Sequence, residues 1–150
     1  MALSKLSRSI SGSVAVVTGA ASGMGRATAH LFGDEGARVA LLDVNNAALE
    51  KVHEEMNGEG YDSKAWCVDL SHGLSIKRVF SEISEHFGGI DILINNAGIS
   101  RFAPIDDDDY EVAWHESIAV LLTAHTLTVR AALPHLRRAE NPRIVNIAST

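Results

Sequence analysis

The sequence is poor in cysteine and in positive charge, and each shortage excludes a class of protein. Cys67 is the only cysteine among 150 residues, so no disulfide can form within the chain, which fits a reducing compartment. Within the stretch AWCVD its thiol is predicted to pack in the core. Lys and Arg number 13 against 19 Asp and Glu, for a net charge of −6. This balance argues against a basic face for nucleic acid.

Long apolar runs are also missing. The start, MALSKLSRSI, carries Lys5 and Arg8 but no continuous apolar segment of the kind found in signal peptides. We expect no later stretch to reach the length of a membrane span, and we predict a cytoplasmic protein without a membrane partner. A length of 150 residues and a hydrophobic content of 46% suit one domain with a single core.

What the chain does contain is a regular alternation of two kinds of segment. Five short apolar runs are typical of strands buried on both faces: VAVVT (14–18), RVALLD (38–43), KAWCVD (64–69), IDILIN (90–95) and RIVNIA (143–148). Between them, apolar residues recur at helical spacing: Met24, Ala27, Thr28, Leu31 and Phe32, then Ile76, Val79, Phe80, Ile83 and Phe87. Gly36 and the Gly88–Gly89 pair follow these helices as stops. The alternation predicts an α/β fold with a doubly wound parallel sheet.

The segment 110–136 has apolar residues on nearly every helical face, so one side of a sheet cannot bury them all. They are Val112, Ala113, Ile118, Val120, Leu121, Leu122, Leu127, Val129 and Leu133. A second apolar surface is therefore expected. A further, C-terminal half of the fold could cover a deep core helix, or the same helix of a second copy could pack on it in a symmetric dimer. The residues favour neither alternative.

The first predicted strand runs directly into TGAASGMG, residues 18–25, and then into a helix. In this position Gly19 permits a tight turn, Gly23 lets the backbone approach a pyrophosphate, and Gly25 lets the helix pack closely on the strand. Amides at the helix N-terminus then face the anion. Glycine-rich turns are common, but this placement between a strand and a helix predicts a dinucleotide site.

Asp43 closes the second predicted strand, at the distance where an acid can bind the ribose hydroxyls. Its carboxylate would repel a 2′-phosphate, and Val44, Asn45 and Asn46 supply no cation. We therefore predict NAD as the cofactor rather than NADP. The alternative is that Asp43 caps the next helix, a role for which Asn45 and Asn46 are equally placed.

The motif Thr-Gly-x-x-x-Gly-x-Gly resembles the glycine motif of the short-chain dehydrogenase/reductase (SDR) family. The resemblance is to the compact type of that family, which has a single domain with a Rossmann fold. Asp43, Asp69 in VDL and NNAG at 95–98 match the family in the same order, over essentially the whole chain. The resemblance places Asp69 against the adenine and NNAG beside the cofactor. The cofactor-binding residues that we predict are Gly19, Ser22, Gly23, Met24, Gly25, Asp43, Asp69, Leu70, Asn95, Ala97 and Gly98.

The resemblance also implies the chemistry. In this family a Tyr hydroxyl transfers the proton, a Lys four residues later lowers the pKa of that Tyr, and a Ser after the fifth strand orients the substrate oxygen. RIVNIAS matches the family's fifth strand, which makes Ser149 the predicted catalytic residue. Neither Tyr61 nor Tyr110 has a Lys four residues on, so the Tyr-x-x-x-Lys pair is expected beyond Thr150.

One position departs from the family pattern. Many relatives have W-x6-N, which places an Asn where a helix backbone opens to hold a water. Counting from Trp114 gives Leu121 here. A leucine makes no polar contact, so we expect either that backbone groups alone hold the water or that the relay differs.

Two further features are predicted to carry no chemistry. Four acids, Asp106 to Asp109, precede a helix and suit its positive end better than a metal. His115, His125 and His135 fall on different helical faces, so no metal site is predicted, although His125 could line a substrate cleft.

Together these observations predict the NAD-binding, N-terminal part of a longer oxidoreductase that acts on an alcohol or a ketone, without nucleic acid and as a homodimer or homotetramer. The competing hypothesis is an NAD-binding or interaction protein without catalysis.

Overall fold

A computed structural model describes residues 8–149 of the chain, so Lys5 and Thr150 lie outside the described residues. Strands and helices alternate through most of it. They are β1 (Val14–Thr18), α1 (Gly23–Asp34), β2 (Arg38–Asp43), α2 (Asn46–Gly58), β3 (Ser63–Cys67), α3 (Gly73–Phe87), β4 (Ile92–Asn95), α4 (Tyr110–Ile118), a π-helical turn (Ala119–Thr123), α5 (Ala124–Leu136) and β5 (Arg143–Asn146).

The five strands form one parallel sheet in the order β3-β2-β1-β4-β5. This is the predicted doubly wound sheet, and all five predicted strands are present. β1 and β2 have the predicted bounds, whereas β3 begins and ends earlier and β4 and β5 are shorter. The chain first builds outward from β1 to β3 and then returns to β4. The crevice at the carboxyl ends of β1 and β4 is therefore the expected ligand position.

Alternate residues of the central strands enter two separate cores. Val14, Val16 and Leu93 pack on one face with α3 and α5. Ala15, Val17 and Ile94 pack on the other face with α1 and α2. The predicted apolar face of α3 is confirmed, because Ile76, Val79, Phe80, Ile83 and Phe87 are all buried. Gly88 ends α3 in the left-handed conformation at φ 86°, as a C-terminal stop requires.

The predicted apolar face of α1 is wrong in part, because Phe32 packs against the core but none of the predicted residues belongs to the fully buried stripe. Met24 and Leu31 are exposed, and the buried stripe consists of Gly25, Ala29 and Gly33. Small residues let α1 approach the sheet so closely that larger side chains are turned outward. Apolar spacing alone could not reveal a contact made by glycines.

β3 and β5 are not buried on both faces as predicted, because the helices among the described residues cover each strand only in part. Ile144, Val145 and Ile147, in and just after β5, are exposed. Cys67 is also exposed rather than packed in the core, because it ends edge strand β3 beside the exposed Val44. Its Sγ lies 3.5 Å from the carbonyl oxygen of Val44.

Residues 110–136 form one continuous helical segment through the π-helical turn. At 27 residues, with a mean hydropathy of 1.3 over its most apolar window, it has the length and composition of a membrane span, contrary to our expectation. Its C-terminal part nevertheless packs on α3 and β4 through a stripe at every fourth residue: Ala124, Thr128, Ala132 and Leu136. Val112, Leu121 and Leu122 stay exposed, as expected if the sheet covers only one face.

Candidate functional site

The glycine loop after β1 has the predicted close approaches. Gly19 adopts φ 67°, a left-handed conformation that favours glycine. A Cβ on Gly25 would lie 2.0 Å from the carbonyl oxygen of Gly19 and 2.6 Å from Nδ2 of Asn96. No side chain fits at Gly25, which confirms that this glycine allows α1 to pack against the loop.

The N-terminus of α1 is open to a ligand. Gly23 has φ 52°, and a Cβ placed on it would meet nothing within 4 Å. Ser22 is the N-cap but makes no side-chain capping bond, and the first turn of α1 contains no acid. Met24 is exposed beside it. Free helix amides with no nearby carboxylate in this turn form a favourable site for an anion such as a pyrophosphate.

Asp43 lies at the carboxyl end of β2, beside the glycine loop. Its Oδ2 accepts a hydrogen bond from the amide of Ala21 at 3.0 Å, and its Oδ1 accepts one from the amide of Asn45 at 2.9 Å. Asn45, not Asp43, caps α2, through a 3.2 Å bond from the amide of Ala48 to its Oδ1. The capping alternative for Asp43 is thus excluded.

Asp69 and Leu70 follow β3 on the same side of the sheet. Oδ1 of Asp69 accepts a 2.8 Å bond from the amide of Ser71, and Oδ2 lies 3.3 Å from Nδ1 of His72. The side-chain hydrogen bond from Ser71 holds the pKa of Asp69 below its ordinary value, and the Ser71 amide and His72 act in the same direction against burial. Asp69 therefore presents a carboxylate at neutral pH.

Thr18 and the NNAG segment join β1 to β4 at the crevice. Oγ1 of Thr18 accepts hydrogen bonds from the amides of Asn96 and Ala97, both at 2.9 Å. Nδ2 of Asn96 donates to the carbonyl oxygen of Thr18 at 3.0 Å. These bonds hold Ala97 and Gly98 at the edge of the cleft, as predicted.

Asn95 corrects the prediction of a cofactor contact. Its side chain is buried, with 1% of the residue exposed, and faces β5 and α5. Nδ2 donates to Oδ1 of Asn146 at 2.8 Å, and Oδ1 accepts from Oγ1 of Thr128 at 2.7 Å. Both ends of the Asn95 side-chain amide are thus bonded within the protein. Asn95 therefore joins β4 to β5 and α5 beneath the crevice and does not face a cofactor.

A cleft of about 290 Å³ brings many of the predicted residues together. It is lined by Gly19, Asp43, Val44, Val68, Asp69, Leu70, Ser71, Ala97, Gly98, Ile99, Glu116 and Val120. Glu116 and Val120 were missed by sequence reasoning, although their spacing of one helical turn places them on the same face. Arg101 Nε lies 2.5 Å from Oε2 of Glu116, which ties the loop after β4 to α4.

Ser149 lies just beyond β5, exposed at the carboxyl end of the sheet. Leu121 lies in the π-helical turn, where the amide of Ala124 donates to the carbonyl oxygen of Ala119, five residues back. The helix thus opens at the position that the resemblance indicated. A Cβ on Gly98 would lie 3.3 Å from Cδ2 of Leu121, so the leucine points toward the NNAG segment.

The two tyrosines have other roles. The Tyr61 hydroxyl donates a short hydrogen bond to Asp34, and this bond, followed by one to Glu59, raises the pKa of Tyr61. A phenol with a raised pKa is a poor proton carrier at neutral pH. Tyr110 stacks on Trp114 with ring centroids 6.5 Å apart. Neither ring lines the cleft.

A second, larger cavity of about 510 Å³ lies between α3 and α5. His135 lines it with Lys77 and Arg130, and burial, followed by the nearby Arg138, lowers the pKa of His135. None of the predicted cofactor or catalytic residues lines this cavity, so the smaller cleft is the candidate active site.

Known proteins resemble this chain over most of its length. D-threitol dehydrogenase of Mycolicibacterium smegmatis is 33% identical over 140 residues, which are 93% of this chain and 54% of that enzyme. A metagenomic short-chain oxidoreductase solved with NADP is 38% identical, with a TM-score of 0.86 over 94% of this chain and 64% of that one. A short-chain dehydrogenase/reductase of Burkholderia phymatum solved with NAD is 31% identical, with a TM-score of 0.86 over 94% and 50%.

The chain spans about half the length of the curated relatives that it matches. The family model described as short chain dehydrogenase matches residues 13–150, nearly all of the chain. The match includes the glycine loop, Asp43, Asp69, NNAG and the segment that ends in Ser149. The chain belongs to the short-chain dehydrogenase family.

Proposed function

We propose that this chain is the cofactor-binding part of an oxidoreductase that transfers a hydride between NAD(H) and an alcohol or ketone. The observation that carries the proposal is the position of Asp43, whose carboxylate adjoins the glycine loop within a cleft at the carboxyl ends of the strands. Relatives that are dehydrogenases support the proposed reaction class.

The residues present fit a nicotinamide dinucleotide. Gly19 and Gly25 let the glycine loop, α1 and the NNAG segment approach one another closely, and the open N-terminus of α1 suits the pyrophosphate. Asp43 would accept hydrogen bonds from the ribose, and Asp69 and Leu70 would border the adenine. When bound, the cofactor supplies the hydride donor or acceptor that the chain itself lacks.

NAD is proposed over NADP because no free cation adjoins Asp43 among the described residues. Arg26 lies in the first turn of α1, near the glycine loop, but it is paired with Glu55. Its Nε and Nη2 lie 2.9 Å and 2.8 Å from Oε2 of Glu55. A 2′-phosphate would therefore meet the carboxylate of Asp43 without a balancing charge. The solved relatives bind either NADP or NAD, so the chain's own residues carry this preference.

The purified protein is expected to bind NADH more tightly than NADPH. Asp43→Asn removes the charge but keeps an acceptor, so NADH should bind about tenfold more weakly while NADPH loses less. Fluorescence titration with each cofactor measures both affinities. Asp62→Asn, at an exposed acid before β3, is the matched control and should leave both unchanged. Tighter binding of NADPH than of NADH by the parent would contradict the proposal.

Catalysis is proposed to use Ser149 together with a Tyr-x-x-x-Lys pair beyond Thr150. Ser149 would donate a hydrogen bond to the substrate oxygen and hold it for proton transfer by the Tyr, whose pKa the Lys lowers. The 150 residues alone are expected to bind cofactor without turnover. A reading frame that continues past Thr150 into this pair would support the enzyme.

Leu121 is not expected to prevent catalysis, because Ser, Tyr and Lys carry the main step and backbone groups of the π-helical turn remain available to water. In the full-length protein, Leu121→Asn should change kcat by less than about tenfold. Leu122→Asn, an exposed neighbour, is the control. Steady-state kinetics on a panel of alcohols and ketones provides the measurement, and a parent without turnover on any of them would contradict this expectation.

We also propose a cytoplasmic homodimer or homotetramer, without a nucleic-acid or membrane partner. Trp114 and Leu122, eight residues apart and therefore on one side of the long helical segment, are 54% and 59% exposed. A second copy packed on this surface would remove them from water.

The alternative is an NAD-binding or interaction protein without catalysis. The exposed apolar residues of the same helical segment favour it, since they provide a surface for a partner. Both proposals expect NADH to bind, so turnover by the full-length protein separates them.

A further inference from the structure

Thr128 occupies an unusual position for a hydroxyl. It belongs to the buried stripe of α5, whose other members, Ala124, Ala132 and Leu136, are apolar and lie in the core. Thr128 is 1% exposed. A hydroxyl buried there needs a partner. Its Oγ1 lies 3.0 Å from the carbonyl oxygen of His125 in its own helix and 2.7 Å from Oδ1 of Asn95.

Asn95 also forms two hydrogen bonds to β5 and the residue after it. Its Nδ2 donates to Oδ1 of Asn146 at 2.8 Å, and its carbonyl oxygen accepts the amide of Ile147 at 2.9 Å. Asn95 and Asn146 are register partners at the carboxyl ends of β4 and β5. The Asn95 amide is thus held from α5 by Thr128 and from β5 by Asn146.

These hydrogen bonds, from Thr128 through Asn95 to β5, end close to the predicted catalytic serine. β5 finishes at Asn146, and residues 147–149 continue outside the strand. The bond from the amide of Ile147 to Asn95 is the last ladder-like contact of this segment, two residues before Ser149. Asn95 therefore lies at the point where the segment that carries Ser149 leaves the sheet.

We propose that Thr128 is a positioning residue for Ser149, acting through the hydrogen bonds of Asn95 and Asn146. The inference rests on the proposed function, because it assigns Ser149 a catalytic role. Thr128 does not line the cofactor cleft, so its effect should fall on turnover rather than on cofactor binding.

The test compares Thr128→Val with Thr128→Ser in the full-length protein. Valine keeps the shape but removes the hydroxyl, and kcat is expected to fall about tenfold while the Kd for NADH stays within about twofold of the parent. Serine restores the hydroxyl and should restore kcat. Thr126→Val is the matched control, because Thr126 is exposed on the same helix and its Oγ1 donates only to the carbonyl oxygen of Thr123, at 2.8 Å.

A double-variant comparison tests the path itself. If Thr128 acts through Asn146, Thr128→Val combined with Asn146→Ala should lose no more kcat than Asn146→Ala alone. Losses that multiply would overturn the proposal, as would parental kcat in Thr128→Val. If the valine variant fails to fold, parental kcat in Asn146→Ala would overturn the proposal, and a loss of kcat there together with parental kcat in Thr128→Ser would support it.

Hydrogen exchange separates this inference from the proposed function. In the full-length protein, Thr128→Val should speed exchange of the Ile147 amide by about tenfold while Thr126→Val leaves it unchanged. A parent without turnover would refute the proposed function, and the exchange rate would still report the contact. Unchanged exchange in Thr128→Val would overturn the inference whatever the activity.

Discussion

Replacing Gly25 by Ala is expected to weaken NADH binding at least about tenfold and to destabilise the fold. The new Cβ would lie 2.0 Å from the carbonyl oxygen and 2.7 Å from the carbonyl carbon of Gly19. Both atoms belong to the backbone, so relief requires α1 and the glycine loop to separate. Overpacking of this kind costs about 1–3 kcal/mol of the free energy of unfolding. It also moves the amides that would hold the pyrophosphate, so we expect the Kd for NADH to rise at least about tenfold.

Urea denaturation and NADH fluorescence titration measure the two effects on the purified chain. Gly58→Ala is the matched control, because Gly58 ends α2 and a Cβ there meets nothing within 4 Å. Alanine at that helical position should stabilise by about 0.5–1 kcal/mol and leave the Kd unchanged. A Gly25→Ala protein that binds NADH as tightly as the parent would refute the role given to the glycine loop.

The order of elements could be predicted because each buried strand carries its own signal. β1 and β2 lie in the middle of the sheet with helices on both faces, and their continuous apolar runs have the predicted bounds. The helices among the described residues cover β3 and β5 only in part, so apolar residues there are exposed and the predicted bounds extend too far. Cys67 was misplaced for the same reason, since its exposure depends on the position of β3 in the sheet rather than on its neighbours in sequence.

The residues of the candidate site likewise fall into those that the sequence could predict and those that it could not. Gly19, Gly25 and Asp43 could be predicted, because a turn, a close approach and a strand end each demand a particular residue type close to the glycine motif. The role of Asn95 could not, since its partners lie 33 and 51 residues away in sequence. Thr128 and Asn146 carry no local signal for this contact. Pairings of this kind appear only when the sheet brings β4, β5 and α5 together.

Ser149→Ala in the full-length protein is the substitution with the largest expected effect on catalysis. Ser149 would donate a hydrogen bond to the substrate oxygen as charge develops there, and loss of one such donor lowers kcat by about 10²–10³. The glycine loop and Asp43 lie at other strand ends, so the Kd for NADH should stay within about twofold of the parent.

Steady-state kinetics and NADH titration on the same preparation separate catalysis from binding. Ser84→Ala is the matched control, because the Ser84 hydroxyl donates to the carbonyl oxygen of Ser81 and Ser84 lines the cavity between α3 and α5, away from the cofactor cleft. Parental kcat in Ser149→Ala would refute the assignment of Ser149, and it would also remove the premise of the Thr128 inference. Loss of kcat with an unchanged Kd would instead show that β5 delivers a catalytic group to a cofactor site built independently by β1, β2, β3 and β4. In that case the two halves of the proposed chemistry meet at the crevice between β1 and β4, and the β4–β5 ladder, with the Asn95 side chain bonded at its end, aligns β5 with that crevice.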